Sequence, residues 1–182
     1  MARVPYLNAS DLAPEHQDIL ARPIALNRAM ANSPNAARAF GVPAMYIRHQ
    51  SKLDPRLREL AILQVGYLAK SPYEYSHHVK IGREFGVTDD DIRAIGAETA
   101  GRPTRLDALA KTVLRAAREM TSGLAMSDAT FAELEKALGR EQVIDLTLAI
   151  SFYNAVVRLL ATLQIDVEPE YQGYLAEHPL PR

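Results

Sequence analysis

Residues 57–68 constrain the fold of this chain more than any other segment, because they are apolar on nearly every side of a helix. A helix with this pattern is stable in water only when other helices surround it. Asp54 is of the type that caps a helix start, and Pro55 suits the first helical position. The sequence Lys70-Ser71-Pro72 ends the run. The segment therefore predicts a central helix inside an α-helical domain.

Capping residues divide the rest of the chain into further helices. Ser33 before Pro34 predicts a helix that ends near Gly41-Val42-Pro43. Gly86 can adopt the left-handed conformation that ends a helix starting near Tyr73. Further helix starts are predicted at three residues of the N-cap type: Thr88, Thr104 and Ser127.

These helices fit one domain of 182 residues, a length that can bury a full core unaided. No segment alternates with period two for long enough to be a strand. We therefore predict an all-α fold, a helical bundle of six to eight helices, in a single domain over residues 1–182. The last long helix covers about residues 141–163. The proline-bearing tail at 166–182 is predicted to be partly irregular and to drape over a neighbour or hang free.

Composition excludes several functional classes. The net charge of -1 provides no electrostatic footprint for nucleic acid or an anionic membrane. The chain has no cysteine, which rules out disulfides, thiolate metal sites and thiol catalysis. The start of the chain has no apolar core of signal length, so a cytoplasmic location is expected. Asp145, Asn154 and Arg158 interrupt the longest apolar segment, which favours a buried helix over a membrane span.

The octet directly after the central helix, Ser-Pro-Tyr-Glu-Tyr-Ser-His-His, carries a family resemblance. It resembles the redox helix of the alkylhydroperoxidase D-like and carboxymuconolactone decarboxylase superfamily, where Cys-x-Tyr-Cys is followed by three residues and a His. Ser71 and Glu74 stand at the two cysteine positions. Tyr73 and His78 match the pattern, and Glu59 matches the family's upstream acid. The resemblance covers residues 53–95 and implies an alkylhydroperoxidase D-like helical fold, without the peroxidase chemistry that the missing thiols would perform.

Three of these residues are candidate catalytic groups: Glu59, Glu74 and His78. Glu74 and His78 are four residues apart on one helix, so their side chains share a face. If the two helices pack antiparallel, as in the resembled family, Glu59 points into the same gap. Such a cluster can transfer protons, because a histidine exchanges a proton near neutral pH while a carboxylate fixes its orientation.

Glu74 has a second interpretation. Ser71 to Glu74 is also a capping-box pattern, with proline at the first helical position, in which Glu74 would bond the amide of Ser71. The two interpretations are compatible, because a cap beside open backbone amides also suits a substrate carboxylate. Ser71 is therefore a candidate substrate-binding residue. So is Tyr73, whose hydroxyl either donates to a bound carboxylate or carbonyl, or is satisfied within the core.

A polar stripe follows the last long helix at spacings of four, three and four residues: Thr147, Ser151, Asn154 and Arg158. This stripe is either the solvent or subunit face of the helix or the lining of a cavity. In the second case Arg158 would clamp a substrate carboxylate, which makes it a third candidate substrate-binding residue.

His77 is rotated about 100° from His78 and cannot share its face, so it is expected at the surface or an interface. A metal site formed by Glu59, Glu74 and His78 would lack zinc spacing and a second histidine. We predict no metal and no cofactor.

Two functional hypotheses remain. The resemblance implies a cofactor-free lyase of the carboxymuconolactone decarboxylase type, acting on a small carboxylated lactone or oxo acid. In it His78 is the acid, Glu59 orients His78, and Glu74 or Arg158 positions the substrate. The alternative is a non-catalytic or regulatory oligomeric member of the superfamily, in which the Glu-His set is a buried hydrogen-bonded network.

Burial separates the two hypotheses. A cluster open to a pocket of roughly a few hundred cubic ångströms favours the enzyme, and a sealed, fully paired one favours a structural network. In either case the expected partners are a small carboxylated molecule and further copies of this chain, as a dimer, trimer or hexamer. Neither nucleic acid nor a membrane is expected.

Overall fold

Helix α3, Pro55–Leu68, lies at the centre of the molecule. The structure, a computed structural model, describes residues 2–181. The Asp54 side chain caps α3 by accepting a hydrogen bond of 3.0 Å from the amide of Leu57. Side chains from Leu60 to Val65 are completely buried on all sides of the helix. The predicted central helix is therefore confirmed.

Eight α-helices and three short 3-10 helices build the described residues 2–181, which contain no strand. The α-helices are α1 Ala25–Met30, α2 Pro34–His49, α3 Pro55–Leu68, α4 Pro72–Glu84, α5 Asp89–Thr99, α6 Ala108–Ser122, α7 Asp128–Leu163 and α8 Gln172–Glu177. The 3-10 helices are Ala9–Asp11, Pro14–Leu20 and Pro169–Tyr171. Helix α7 is broken into two arms at Gly139, whose φ is 77° and ψ 164°. The all-α prediction is confirmed.

Most predicted helix ends lie where the capping chemistry placed them. Thr88 accepts a hydrogen bond from the amide of Asp91, and Ser127 accepts one from the amide of Thr130. Gly86 has a φ of 87° at the end of α4, as predicted. The predicted start at Thr104 is wrong. Asp107 caps α6 instead, because its carboxylate accepts from an α6 amide at 2.7 Å while the Thr104 hydroxyl is bonded to Glu98.

Helix α2 does not end near Gly41 as predicted, but continues through Pro43 to His49. Proline removes one backbone hydrogen bond from the helix interior. The turns after Pro43 are stabilised by tertiary contacts, because Ile47 is buried and the Tyr46 hydroxyl donates to Asp145 at 2.7 Å. Packing therefore outweighs the local breaker, and α2 extends by two turns.

Asp145 joins α7 to the end of α2. It is buried, and besides Tyr46 its carboxylate accepts from the hydroxyl of Ser51 at 2.8 Å and the amide of Lys52 at 3.0 Å. Within residues 2–181, α7 is the one helix long and apolar enough to cross a membrane. Its inner face packs against α3 and α6, as expected for the core helix of a helical bundle.

The tail does not hang free. Residues 166–181 contain the last 3-10 helix and α8, and both pack against α4 of the same chain. Tyr171 and His178 are buried in this contact. The start of the chain also contacts the tail, because the Tyr6 hydroxyl donates to Asp166 at 3.1 Å. The two ends of the described chain thus cover one side of the bundle.

Candidate active site

His78, on α4, lies between two carboxylates, those of Glu59 on α3 and Glu74 on α4. Its Nδ1 is 2.5 Å from Oε2 of Glu59, and its Nε2 is 2.9 Å from Oε1 of Glu74. All three side chains are at most 8% exposed. The predicted approach of Glu59 to His78 is confirmed, and Glu74 joins the same cluster.

The turn between α3 and α4 brings these residues together. Lys70 has a φ of 48°, which reverses the chain within three residues. Gly66 then faces Tyr75, and Glu59 faces Gly82, so the two helices run antiparallel. A side chain at Gly82 would place its Cβ 3.2 Å from Val87 and 3.6 Å from the Cβ of Glu59. The absence of a side chain at this position allows the close packing that carries Glu59 to His78.

Arg58 holds the other oxygen of Glu59. Its Nε donates to Oε1 of Glu59 at 3.0 Å, and both side chains are buried. Its Nη1 donates to the backbone carbonyls of Ile47 and Arg48, at 3.5 and 3.3 Å. Arg58 therefore links the cluster to the last turn of α2, and Glu59 is fixed from two sides.

The geometry favours a protonated His78. Both ring nitrogens face carboxylate oxygens, whereas a neutral imidazole carries only one N–H. Burial alone would lower the pKa of His78, but the charges of Glu59 and Glu74, together with the hydrogen bond to Glu59, outweigh it and raise that pKa to about 9. Burial alone would raise the pKa of Glu59, because a buried carboxylate is disfavoured. The positive charges of His78 and Arg58 and their hydrogen bonds outweigh burial and lower that pKa. At neutral pH the cluster therefore holds a proton on an imidazolium between two carboxylates.

The capping-box interpretation of Glu74 is wrong. The Ser71 side chain makes no capping hydrogen bond. The amide of Ser71 already donates to the carbonyl of Gly66 at 3.0 Å, so it is not available to Glu74. Although Oε1 of Glu74 is close to Nε2 of His78, the two are out of line for a directed hydrogen bond, and this buried oxygen has no aligned donor. Glu74 thus has hydrogen-bonding capacity left for another molecule.

A groove of about 1300 Å³ opens beside the cluster. The 3-10 helix Pro14–Leu20, α1 and α2 form one wall, and α4 and α7 form the other. Glu74 and His78 belong to this wall, with the ring of Tyr153 edge-on to His78 at 5.0 Å between centroids. Much of the remaining lining is apolar and includes Ile24, Leu26, Met30, Phe40, Phe152 and Val156. The cluster therefore faces a groove and is not sealed within the core.

Two of the three predicted substrate-binding residues do not reach this groove. Ser71 is buried at the turn between α3 and α4, outside the groove lining. Arg158 is exposed, and its Nη1 bonds the carbonyl and side-chain oxygens of Asn154. It lines a separate depression of about 410 Å³. The clamp assigned to Arg158 is therefore wrong, because about 200° of helix rotation separates it from Val156, which does line the groove.

Tyr73 lines the groove, but its hydroxyl is already used. It accepts from the amide of Leu26 at 3.2 Å and donates to Oε1 of Glu168 at 3.1 Å. Burial is the largest of the effects that raise the pKa of Tyr73. The substrate-binding role of Tyr73 stays a prediction, and in the structure its hydroxyl is satisfied by two hydrogen bonds within the protein.

His77 is buried, so the surface alternative predicted for it is wrong, and the interface alternative stays a prediction. The tail covers it, so its ring is stacked between Tyr73 at 4.1 Å and Tyr171 at 3.6 Å. Its Nε2 lies 2.9 Å from Oε2 of Glu168. Glu168 also accepts from the amide of Ala25 at 2.7 Å. Burial would raise the pKa of Glu168, but these hydrogen bonds outweigh it and lower that pKa to about 2.

Sequence reasoning missed Arg48 and Glu168. Arg48 lines the groove together with Glu74 and His78. In the described part of the chain its side chain has no hydrogen-bond or ion-pair partner. Its position depends on α2 extending beyond Pro43, which local signals argued against. Glu168 is distant in sequence from the two helices that it joins to the tail, α1 and α4, and no local pattern marks it. No group of three His, Asp or Glu side chains within residues 2–181 is arranged to hold a metal ion.

Comparison with known proteins agrees with this architecture. The model of the carboxymuconolactone decarboxylase family matches residues 34–119. No curated protein has a significant match. A solved structure described as an alkylhydroperoxidase AhpD core, an uncharacterized peroxidase-related protein from Ralstonia eutropha JMP134, has a TM-score of 0.81 at 15% identity. The alignment covers 99% of this chain and 98% of that one.

Two further solved structures are similar. A cysteine-to-alanine variant of the debrominase Bmp8 in complex with 2,3,4-tribromopyrrole has a TM-score of 0.80 at 19% identity, over 97% of each chain. An uncharacterized peroxidase-related protein from Silicibacter sp. TM1040 has a TM-score of 0.71 at 19% identity, over 95% of this chain and 98% of that one. At such identities the likeness shows the fold alone. Residues 34–119 are therefore similar to the carboxymuconolactone decarboxylase family, and the fold of the chain is that of the alkylhydroperoxidase D-like proteins.

Proposed function

We propose that this protein is a cofactor-free lyase of the carboxymuconolactone decarboxylase type, acting on a small carboxylated lactone or oxo acid. The observation that carries the proposal is the position of His78. It is held between Glu59 and Glu74 at the wall of an open groove, in an arrangement that suits the imidazolium form. A proton donor of this kind is what the reaction needs after carbon dioxide leaves.

The proposed reaction consumes one proton. The bond between the substrate carbon and its carboxylate breaks, carbon dioxide departs, and the electron pair moves into a conjugated carbonyl to form a dienolate. A proton then adds to one of the two carbons that share the negative charge of the dienolate, and the carbonyl is restored. No oxidant or reductant is involved, which agrees with a chain that has no cysteine.

The cluster assigns a role to each residue in this step. The Nε2 proton of His78 is transferred towards the groove, either directly or through Glu74, which also lines the groove. Loss of that proton leaves a neutral imidazole with its remaining N–H on Nδ1, where Glu59 accepts it. Glu59 thus stabilises the product tautomer, and Arg58 holds Glu59 in place. Solvent protonates His78 again before the next turnover.

The alternative is a non-catalytic oligomeric member of the family. A structural network is expected to satisfy each buried polar atom, because an unpaired one lowers stability. Oxygen Oε1 of Glu74 and Nη2 of Arg58 are buried without an aligned partner among residues 2–181. Together with the groove, these atoms support a site that binds another molecule.

The test is an assay with carboxymuconolactone in heavy water. The expected result is enzyme-dependent release of carbon dioxide and incorporation of one deuterium at a carbon of the dienolate, alpha or gamma to the carbonyl. His78→Asn protein, checked for its fold by circular dichroism, serves as the control. If the wild-type protein releases carbon dioxide no faster than the His78→Asn control, for every carboxylated lactone and oxo acid of a panel, the lyase proposal is wrong and the non-catalytic alternative remains.

A further inference from the structure

We infer that the groove binds an elongated amphipathic carboxylate, whose anionic end pairs with Arg48 and whose apolar body extends along α2 towards Met30. This inference rests on the proposed function and names its substrate class. Among the carboxylated lactones and oxo acids proposed as substrates, it selects those that carry an extended apolar chain. Three observations support it: a cation without a partner, the charge of the cluster and the size and lining of the groove.

Arg48 is a cation available for an anionic ligand. Its backbone carbonyl is bonded to Arg58, so the last turn of α2 is attached to the proton-transfer cluster. Its guanidinium has no acceptor within residues 2–181. Arg38, another basic residue of the groove, is paired with Asp18 at 2.6 Å and is therefore occupied. A carboxylate held by Arg48 would lie at the end of the groove formed by the last turn of α2.

Charge balance allows an anion there despite the two glutamates. With His78 protonated, Arg58, Glu59, His78 and Glu74 sum to zero charge, so Arg48 is a net positive charge at the groove. A cation at the end of α2 also interacts favourably with the carbonyls of that helix terminus. If Arg48 served the helix end alone, its replacement would lower stability without changing ligand binding.

The rest of the groove is suited to an apolar body. Eight residues of α2 separate Arg48 from Phe40, which is about 12 Å along the helix axis. The ring of Phe40 packs on that of Phe152, 4.9 Å between centroids, and Met30 and Val156 extend the lining further. The volume of about 1300 Å³ exceeds the roughly 300–1,000 Å³ typical of ligand pockets. A small lactone alone would leave most of this apolar surface in water.

Direct binding tests the inference without requiring turnover. Hexanoate, octanoate, decanoate and decanol would be titrated calorimetrically into the intact protein, below their micelle concentrations. Affinity is expected to rise about fourfold for each added methylene group. Decanol should bind at least about tenfold more weakly than decanoate, because it has no charge for Arg48.

Two variants and a matched control separate the two ends of the groove. Arg48→Met should weaken every carboxylate about tenfold or more, and Arg105→Met, an exposed arginine outside the groove, should change nothing. Met30→Trp should weaken decanoate selectively and leave hexanoate unchanged. Wild-type affinity in Arg48→Met, or no preference for decanoate over hexanoate, would overturn the inference.

The result also distinguishes this inference from the proposed function. Chain-length-dependent binding that requires Arg48, without decarboxylation of any acid tested, would retain the ligand class and remove the lyase. Turnover of a small lactone without any preference for longer acids would retain the lyase and remove the elongated ligand class. In that case a second copy of the chain becomes the expected occupant of the outer groove, where Val42 and Met45 are exposed. Sedimentation of Val42→Asp protein would then show a loss of self-association.

Discussion

His77 and His78 are neighbours on α4, yet their surroundings differ in one decisive respect. His78 faces two carboxylates, one of which keeps an oxygen without an aligned donor. His77 faces one carboxylate, Glu168, whose oxygens are also bonded to the amide of Ala25 and the hydroxyl of Tyr73. Two aromatic rings cover the faces of His77. One histidine is therefore prepared to exchange a proton, and the other joins three elements of the fold.

The comparison shows that residue type and sequence position do not assign a role by themselves. Both residues line the groove, but a rotation of about 100° places the ring of His78 between Glu59 and Glu74 and the ring of His77 beneath the tail. The difference arises from hydrogen-bond saturation, because a saturated network stabilises a structure and an unsaturated one can accept a ligand.

The largest expected effect is on turnover. Replacing His78 by Asn should lower kcat by about 10³-fold or more, because the proton donor is removed. His77→Asn should keep kcat within about tenfold and instead lower the free energy of unfolding. Steady-state kinetics and urea unfolding of the two variants provide the measurement. Equal losses of kcat would show that the two histidines do not have separate roles.

Glu74→Gln should lower kcat by about 10²-fold at an unchanged melting temperature, because the amide keeps the shape and loses the charge. Glu74 makes no capping hydrogen bond, so the start of α4 does not depend on one. Kinetics identical to wild type on a confirmed substrate would remove Glu74 from the site. Glu59 and His78 would then perform the chemistry alone.

The pH dependence of kcat and of stability tests the role of His78 as an acid. If imidazolium is the acid, kcat should fall about tenfold per pH unit above the folded pKa of about 9. Because this pKa lies above the unfolded value of about 6.5, the stability that His78 contributes is fully present below about pH 6.5 and is lost as pH rises through about 9. A pH–rate profile and unfolding curves from pH 6 to about 10 test both statements. A rate that rises with pH would make His78 a base.

Glu168→Gln should lower the free energy of unfolding by about 1–3 kcal/mol, because buried donors lose a charged acceptor. Its effect on kcat should be no more than a few-fold. The folded pKa of Glu168, about 2, lies below its unfolded value, so its stabilisation is present above about pH 4.5 and is lost as pH falls towards 2. Urea titrations at pH 7 and pH 3 should show the difference between variant and wild type shrinking in acid. Limited proteolysis should show earlier cleavage of the variant's tail.

The last prediction is that the protein has no peroxidase activity. With Ser71 and Glu74 at the cysteine positions of the resembled helix, the protein should not consume hydroperoxide in the presence of a dithiol reductant. Consumption above that of buffer, after contaminants are excluded, would contradict the expectation. The measurement is the peroxide concentration over time.

Local chemistry explains which parts of the fold were predictable. Caps at Asp54, Thr88 and Ser127 depend on residues three positions away, so the sequence alone indicates them. The extension of α2 past Pro43 depends on Asp145, about a hundred residues further along the chain. Periodicity carries no information about such a partner, and the predicted helix end was therefore wrong.

The candidate site divides in the same way. Glu59, Glu74 and His78 lie on two consecutive helices joined by a short turn, so a family pattern and helical spacing were enough to group them. The position of Arg48 in the groove was not predictable, because it depends on which helix faces turn towards α4. Arg158 faces away from the groove, and Arg48 reaches it only because α2 is longer than its breakers suggest.

The hairpin of α3 and α4 has a consequence for how such a protein can change over time. All the proposed proton-transfer groups are encoded within twenty consecutive residues, whereas α1, α2 and α7 supply much of the remaining groove wall. Mutations in those outer helices can therefore alter which molecule is accommodated while the proton donor stays intact. A new specificity could be reached through many single, tolerated substitutions, none of which has to rebuild the chemistry.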